Sequence, residues 1–240
     1  MYRDNFKYKF FTKNNGFSRG IYKGLNCGKY SEDKASIVNK NLKYALNKFG
    51  LNGRHLILPN QNHSNRCIII NSPKDKVKIC DALVTKSTEV ILGVTTADCL
   101  PIIFLDNQKK IIGVCHAGWR GISKGIIEET MNKMLLIGSS YNNINAIIGP
   151  CIRQKSYEIQ RDFNKNSKIP YIENYILKNN DKIYLNLVGI AKKIMTNYKI
   201  KSIKDTKKNT YLDSNYFSYR ESIHQKNIDY GRNLSLIAIK

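Results

Sequence analysis

The sequence predicts a single layered domain of the α/β or α+β class, covering residues 1–240. Three observations predict it. Short apolar runs of strand length alternate with amphipathic helical stretches along the whole chain. No internal repeat, low-complexity tract or Pro/Gly-rich linker divides the chain, which has only 5 prolines. With 240 residues, 42% of them hydrophobic and 24% charged, it is long enough to bury a substantial core and too apolar for wholesale disorder.

The elements follow in order. Lys7–Thr12 reads as a strand ended by Asn14-Asn15-Gly16. Ser31 is the expected cap of a helix running to about Phe49. Its apolar residues Ile37, Val38, Leu42, Ala45, Leu46 and Phe49 share one face, and Gly50 stops it. Strands are predicted at His55–Leu58, Arg66–Ile70 and Ala82–Thr85. Val90–Thr95, Pro101–Leu105 and Ile111–His116 are continuous apolar runs, as strands buried on both faces are, and Asp106-Asn107-Gln108 is a hairpin turn. A helix is predicted from about Gly121 to Leu136 on the stripe Ile122, Ile126, Ile127, Thr130, Met134. Asn145–Ile148 is a strand closed by Gly149-Pro150. Tyr157–Asn164 and Leu187–Asn197 read as shorter helices, and Tyr216–Arg220 and Leu234–Ile239 as the last strands.

The formal net charge is +22, with a sequence pI near 9.7. Such an excess first points to nucleic acid. Two details weigh against it. Arginine, the residue of bidentate recognition, supplies 9 of the 40 basic residues, and the 31 lysines are scattered with no run longer than two. Together with abundant Ile and Asn, this is the composition of an A/T-rich coding sequence and a solvated lysine surface. No apolar run approaches the ~18 residues that span a bilayer. Met1–Lys13 alternates basic and aromatic residues without an apolar core, so no secretory signal is expected. The expected location is the cytoplasm. The six cysteines, at 27, 67, 80, 99, 115 and 151, form no CxxC and are expected to be reduced thiols.

The chemistry is concentrated in few residues. There are four histidines: 55, 63, 116 and 224. His63 lies in the polar loop Asn60–Ser64, between two strand-like segments. His116 ends a buried strand, just before Ala117-Gly118-Trp119-Arg120-Gly121 opens a helix. Cys99 closes Thr95-Thr96-Ala97-Asp98-Cys99 at another strand end. Two strand ends and an interstrand loop can converge on one sheet edge. His63, Cys99 and His116 would then form a mixed N/S donor set that suits Zn²⁺ and leaves a fourth position open. On spacing alone the plain alternative stands beside it: a satisfied strand-end histidine, a solvated loop histidine and a small core cysteine.

Thr96-Ala97-Asp98-Cys99-Leu100-Pro101, then His116-Ala117-Gly118-Trp119-Arg120-Gly121, then Ile148-Gly149-Pro150-Cys151-Ile152 resemble the signatures of the YfiH family, also called the laccase-domain or multicopper polyphenol oxidase family. The resemblance extends over nearly the whole chain. Gly16-Phe17-Ser18-Arg19-Gly20, Gln61-Asn62-His63-Ser64, Asp81-Ala82-Leu83-Val84-Thr85, Phe217-Ser218-Tyr219-Arg220 and Gly231-Arg232 belong to it, and His116 follows Cys99 at a spacing of 17. It implies a single α+β domain with helices outside layered mixed sheets, and a metal, usually zinc, on His63, Cys99 and His116. It implies purine nucleoside phosphorolysis, with adenosine, inosine and methylthioadenosine as substrates, and adenosine deamination, with peptidoglycan editing in some members. Phosphate and purine nucleosides are the partners it implies. The family often carries a Cys-rich patch before Phe-Ser-Tyr-Arg; here Asn209–Ser214 has no cysteine, and Glu221–Tyr230 is less typical.

The catalytic candidates are therefore Cys99, His116 and Asp98. Neighbouring side chains of an extended backbone point opposite ways, so Asp98 is expected to orient a histidine N–H or to form a turn, not to ligate. By the same alternation Cys115 should face the core, and Cys151 is read as structural. Gly118 and Gly121 flank Trp119-Arg120 at a strand-to-helix turn, where backbone N–H groups and Arg120 could seat an anion; a packing Trp with a surface Arg is the alternative. Gln61, Arg19, Arg220 and Arg232 are further substrate-binding candidates.

Four histidines and no HxH cannot build blue and trinuclear copper centres, so copper here would be a single ion. Other classes remain: a metal-free cysteine hydrolase with Cys99 as nucleophile and His116 as base, a peptidoglycan-precursor hydrolase on the same metal, and a non-catalytic RNA-associated protein supported only by Tyr8, Phe10 and Tyr22 among lysines.

Overall fold

Three consecutive apolar runs, β5 (Val90–Thr96), β6 (Leu100–Asp106) and β7 (Ile111–Ala117), hold the centre of the computed structural model, which describes residues 5–160, 163, 167, 169, 170 and 172–240. β5 belongs to a four-stranded sheet with β1 (Phe6–Phe10), β2 (His55–Ile57) and β13 (Asn233–Ile239), in the order β1-β13-β5-β2. β6 and β7 pair antiparallel in a six-stranded sheet with β3 (Cys67–Ile70), β4 (Ala82–Thr85), β8 (Ile144–Ile148) and β12 (Ser202–Asp205), in the order β12-β8-β6-β7-β4-β3. Both sheets are mixed: β2 runs parallel to β5, β3 to β4 and β12 to β8.

Side-chain alternation along each strand builds four layers. In β6, Ile103 and Leu105 face the four-stranded sheet, where they meet Leu92, Val94 and Ile237. Leu100, Ile102 and Phe104 face the other way. They are covered by α3 (Ile126–Leu136), which brings Ile127, Met131 and Met134, and by α4 (Leu187–Asn197), which brings Leu187, Ile190 and Met195. On the far side, α1 (Ala35–Phe49) lays Val38, Leu42, Ala45 and Phe49 over Ile91, Leu234, Leu236 and Ala238. Strands buried on both faces explain why β5–β7 read as unbroken apolar runs. The α+β expectation of helices outside mixed sheets holds.

Several boundaries differ from expectation. α1 starts after Lys34, without a side-chain cap; the Ser31 hydroxyl donates instead to the Gly28 carbonyl. Gly50 does stop the helix, at φ 69°. The helix predicted over 121–136 is two helices, α2 (Trp119–Ser123) and α3, because Gly125 turns the chain at φ 87°. Tyr216–Arg220 is no strand: Ser218 caps a helix, α5 (Tyr219–His224), by accepting from the Glu221 N–H. Where a helix was predicted from Tyr157, Glu158–Ile159 is a strand, β9, paired with β11 (Lys182–Leu185). Arg161, Asp162 and Asn164 of that prediction lie outside the described residues. β10 (Ile176–Asn179) completes a small sheet with β11, unforeseen because its strands are half exposed and carry no apolar alternation. The Asp106 turn stands, its carboxylate accepting from the N–H groups of Gln108 and Lys109. All six cysteines are free. Among the described residues no helix is long and apolar enough to cross a membrane.

Candidate metal centre

Between β5 and β6 the chain crosses from one sheet to the other within Ala97–Cys99, and Asp98 makes the turn at φ 81°. Cys99 therefore stands at the start of β6, beside the end of β7, where Pro101 pairs with His116. His116 is 4% exposed. Its neighbours Cys115 and Ala117 point into the helix-side core, which fulfils the expectation for Cys115. His63 arrives from the loop after β2, held at φ 58°.

These three side chains meet. The Cys99 Sγ lies 3.8 Å from His63 Nε2, the two imidazole centroids are 4.8 Å apart, and one ligand atom from each residue lies within 4.8 Å of the others. Around a tetrahedral ion with bonds of about 2.0–2.3 Å, such donors stand roughly 3.3–3.6 Å apart, so a contraction of at most roughly 1.2–1.5 Å at the widest pair closes the set. Gly118 lines the same space: a Cβ there would fall 2.8 Å from both the Cys99 Sγ and His63 Cδ2. Two imidazoles, a thiolate and a side-chain-free wall fit one divalent ion with an open corner.

Asp81, just before β4, positions both histidines. Its Oδ1 is 2.8 Å from His116 Nδ1, which leaves Nε2 for a metal. Its carboxylate also accepts from the backbone N–H of His63 (3.0 Å) and from the N–H and hydroxyl of Ser64 (2.7 and 2.6 Å). Burial pushes this carboxyl up, but the His116 and Ser64 hydrogen bonds outweigh it and hold it at about 2. Burial also raises the Cys99 thiol, and the adjacent imidazoles of His116 and His63 more than reverse that, favouring thiolate. His116 moves oppositely: burial lowers it, while the thiolate and Asp81 raise it further.

Of the two roles expected of Asp98, it takes the turn and not the histidine. Its Oδ1 accepts from the Thr210 hydroxyl (2.6 Å), and its Oδ2 from the Ser218 hydroxyl (2.9 Å) and the Arg220 N–H (2.7 Å). It ties two distant loops to the site, and Asp81 is the residue that orients a histidine. Gln61 holds the His63 loop on β5, donating to the Thr95 carbonyl (2.8 Å) and accepting from its N–H (2.9 Å).

Two cavities open on the cluster. The larger, about 560 Å³, is walled by Trp119, Tyr157 and Phe163 and reached by Arg120 and Arg220. The smaller, about 310 Å³, is bordered by Gln61, Arg120, Tyr230 and Arg232. Arg220 donates to the Glu158 carbonyl, and the Arg120 guanidinium lies 4.5 Å over the Trp119 ring. Arg19 borders neither: it is exposed just before a 3₁₀ turn (Gly20–Tyr22), beside a different surface cavity. Asp81, Trp119, Tyr157 and Phe163 were not singled out as site residues by sequence reasoning. Asp81 opens a recognised motif, yet only the β4–β7 pairing reveals its role.

The sequence profile described as multi-copper polyphenol oxidoreductase laccase matches residues 7–240. The chain belongs to that family. Among relatives, a Rickettsia prowazekii protein named purine nucleoside phosphorylase RP494 is 32% identical over 97% of this chain and 96% of its own length. Adenosine deaminase RL5, from an unknown prokaryote, is 33% identical, but the match spans 59% of this chain and 57% of the relative. The crystal structure of Neisseria meningitidis protein NMB0706 superposes with a TM-score of 0.86 at 26% identity, covering 99% of this chain and 96% of that one. That of Bacillus licheniformis YfiH gives 0.88 at 24% identity, a likeness of fold. The copper in the family's description has a single His₂Cys cluster to draw on among the described residues.

Proposed function

We propose that this chain is a zinc-dependent enzyme of purine nucleosides, phosphorolysing adenosine, inosine and methylthioadenosine and deaminating adenosine. It acts as one unit over residues 1–240, in the cytoplasm, where six unpaired thiols stay reduced. One observation carries the reading: the His63–Cys99–His116 cluster opens on a cavity of nucleoside size with aromatic walls. The names of the relatives agree with it.

When bound, zinc supplies Lewis acidity at its open corner. The chain's own residues do the rest. Asp81 fixes the His116 tautomer and the His63 loop, so the donor set is assembled before substrate arrives. Trp119, Tyr157 and Phe163 offer ring faces and edges to a purine. Arg120 and Arg220 offer planar N–H donors to anionic or hydroxyl oxygens, Arg220 being steadied by the Glu158 carbonyl.

Metal analysis of purified protein, followed by product identification from adenosine, tests the reading. About one zinc per chain is expected. Ribose 1-phosphate and free purine should form with phosphate, and inosine and ammonia without it. Cys99→Ala should stay folded and lose both reactions; full turnover by that variant overturns the metal role.

A second reading has its own observation. Cys99 faces His63 at 3.8 Å and favours the thiolate form, as a nucleophilic cysteine does. Activity that survives complete metal removal and is abolished by alkylating Cys99 would establish it.

A further inference from the structure

The two cavities share His63, Ala97, Cys99, Arg120 and Tyr219, so the metal cluster is the wall between them. Their chemistries differ. The larger brings the rings of Trp119, Tyr157 and Phe163, and there Arg120 and Arg220 stand beside two acidic residues, Asp98 and Glu158. The smaller carries Lys29, Arg120 and Arg232 and no carboxylate among its lining residues. Resting on the proposed function, we propose that the smaller cavity is the phosphate subsite and the larger the nucleoside subsite, with reactants meeting at the cluster from opposite sides.

Arg232 is built into place. Its guanidinium lies 4.4 Å over the Tyr230 ring. It donates to the Tyr230 carbonyl at 3.1 Å and to Asp229 Oδ1 at 3.4 Å, which spends two of its five N–H groups. Its stem crosses Gly28, where a Cβ would fall 2.6 Å from the Arg232 Cδ. Lys29, next to that glycine, is exposed at the mouth. An inorganic phosphate there meets the N–H groups that Arg232 keeps free of Tyr230 and Asp229, and the one carboxylate paired with it, Asp229, lies behind the wall rather than in it.

The arrangement accounts for two reactions at one cluster. In phosphorolysis, a phosphate oxygen from the smaller cavity bonds to C1′ as the C1′–N9 bond breaks. The bonding pair leaves on N9, and the purine takes up the proton that hydrogen phosphate gives up, so no proton is left over. Deamination exchanges the adenine amino group for the oxygen of water and releases ammonia; it needs no phosphate. Groups of the smaller cavity should therefore weigh on one reaction more than on the other.

Two measurements test this on the full chain. Calorimetric titration of the metal-free protein with inorganic phosphate should show affinity falling about tenfold in Arg232→Gln and less than threefold in Arg220→Gln, on the other side. With zinc loaded, the ratio of kcat/KM for phosphorolysis to kcat/KM for deamination should fall about tenfold in Arg232→Gln and in Gly28→Ala, which displaces the same stem. Lys29→Gln, at an exposed position, keeps the test decisive if those variants fail to fold. Absence of phosphate binding by the wild type, an equal loss in Arg220→Gln, or an unchanged ratio overturns the assignment. A zinc-loaded wild type that performs neither reaction refutes the proposed function alone, because phosphate affinity still decides the subsite.

Discussion

Asp81 Oδ1 lies 2.8 Å from His116 Nδ1, and the same carboxylate receives the backbone N–H of His63. One buried acid thus sets the orientation of two candidate ligands that are 53 residues apart in the chain. Asp81→Asn keeps the shape but presents an amide to the ring. Zinc affinity, measured against a competing chelator, should fall about 10–100-fold. Unchanged affinity would remove Asp81 from the positioning role.

Gly118 is the wall of the cluster. Gly118→Ala places a methyl group 2.8 Å from both the Cys99 Sγ and His63 Cδ2. The variant should keep its circular dichroism spectrum and lose zinc affinity at least about tenfold, since ligand displacements of a fraction of an ångström are felt by a metal. Wild-type affinity in a folded variant would contradict the crowding argument.

Asp98 is a structural tie. Asp98→Ala leaves the Thr210 and Ser218 hydroxyls and the Arg220 N–H without their buried acceptor, and puts an alanine at φ 81°. The expected cost is about 3 kcal/mol in urea unfolding. Asp98→Asn, which keeps an acceptor and tolerates the left-handed backbone, should cost less. Equal losses would mean that a single amide oxygen and a tolerated backbone do not replace the carboxylate, which accepts at both oxygens.

Asp205 gives the fold a pH dependence away from the cluster. Burial raises its carboxyl, but Arg153, Lys192 and the Lys207 N–H outweigh that and hold it well below the usual carboxylate range. A folded pKa below the unfolded one means stabilisation that is complete above about pH 4 and lost as pH falls toward the folded value. Urea midpoints of the wild type should therefore drop more steeply than those of Asp205→Asn between pH 5 and pH 3. Parallel curves would exclude the contribution.

Much was legible in the sequence where a local pattern has one physical outcome. The apolar runs of β5, β6 and β7 could only be strands buried on both faces, and the one-sided stripe of α1 with Gly50 after it could only be a surface helix. Leu187–Asn197 emerged with its expected bounds for the same reason. His63, Cys99 and His116 were legible because histidines are few and their motifs stand at strand ends. The 121–136 helix was misjudged at one residue, Gly125, whose left-handed turn interrupts a stripe that continues on both sides.

By itself the sequence determined which residues are buried and which donors are available, since both follow from side-chain chemistry and a period of two or 3.6 residues. Tertiary structure alone decided that Asp81 and not Asp98 serves the histidines. Alternation says which face a side chain takes but not which strand lies alongside, and Asp81 reaches His116 only because β4 pairs with β7. The same holds for the place of Arg19 away from both cavities and for the division of the site into two cavities. Those are relations between segments up to two hundred residues apart, fixed by sheet order and by the crossing of the chain between sheets at Ala97–Cys99.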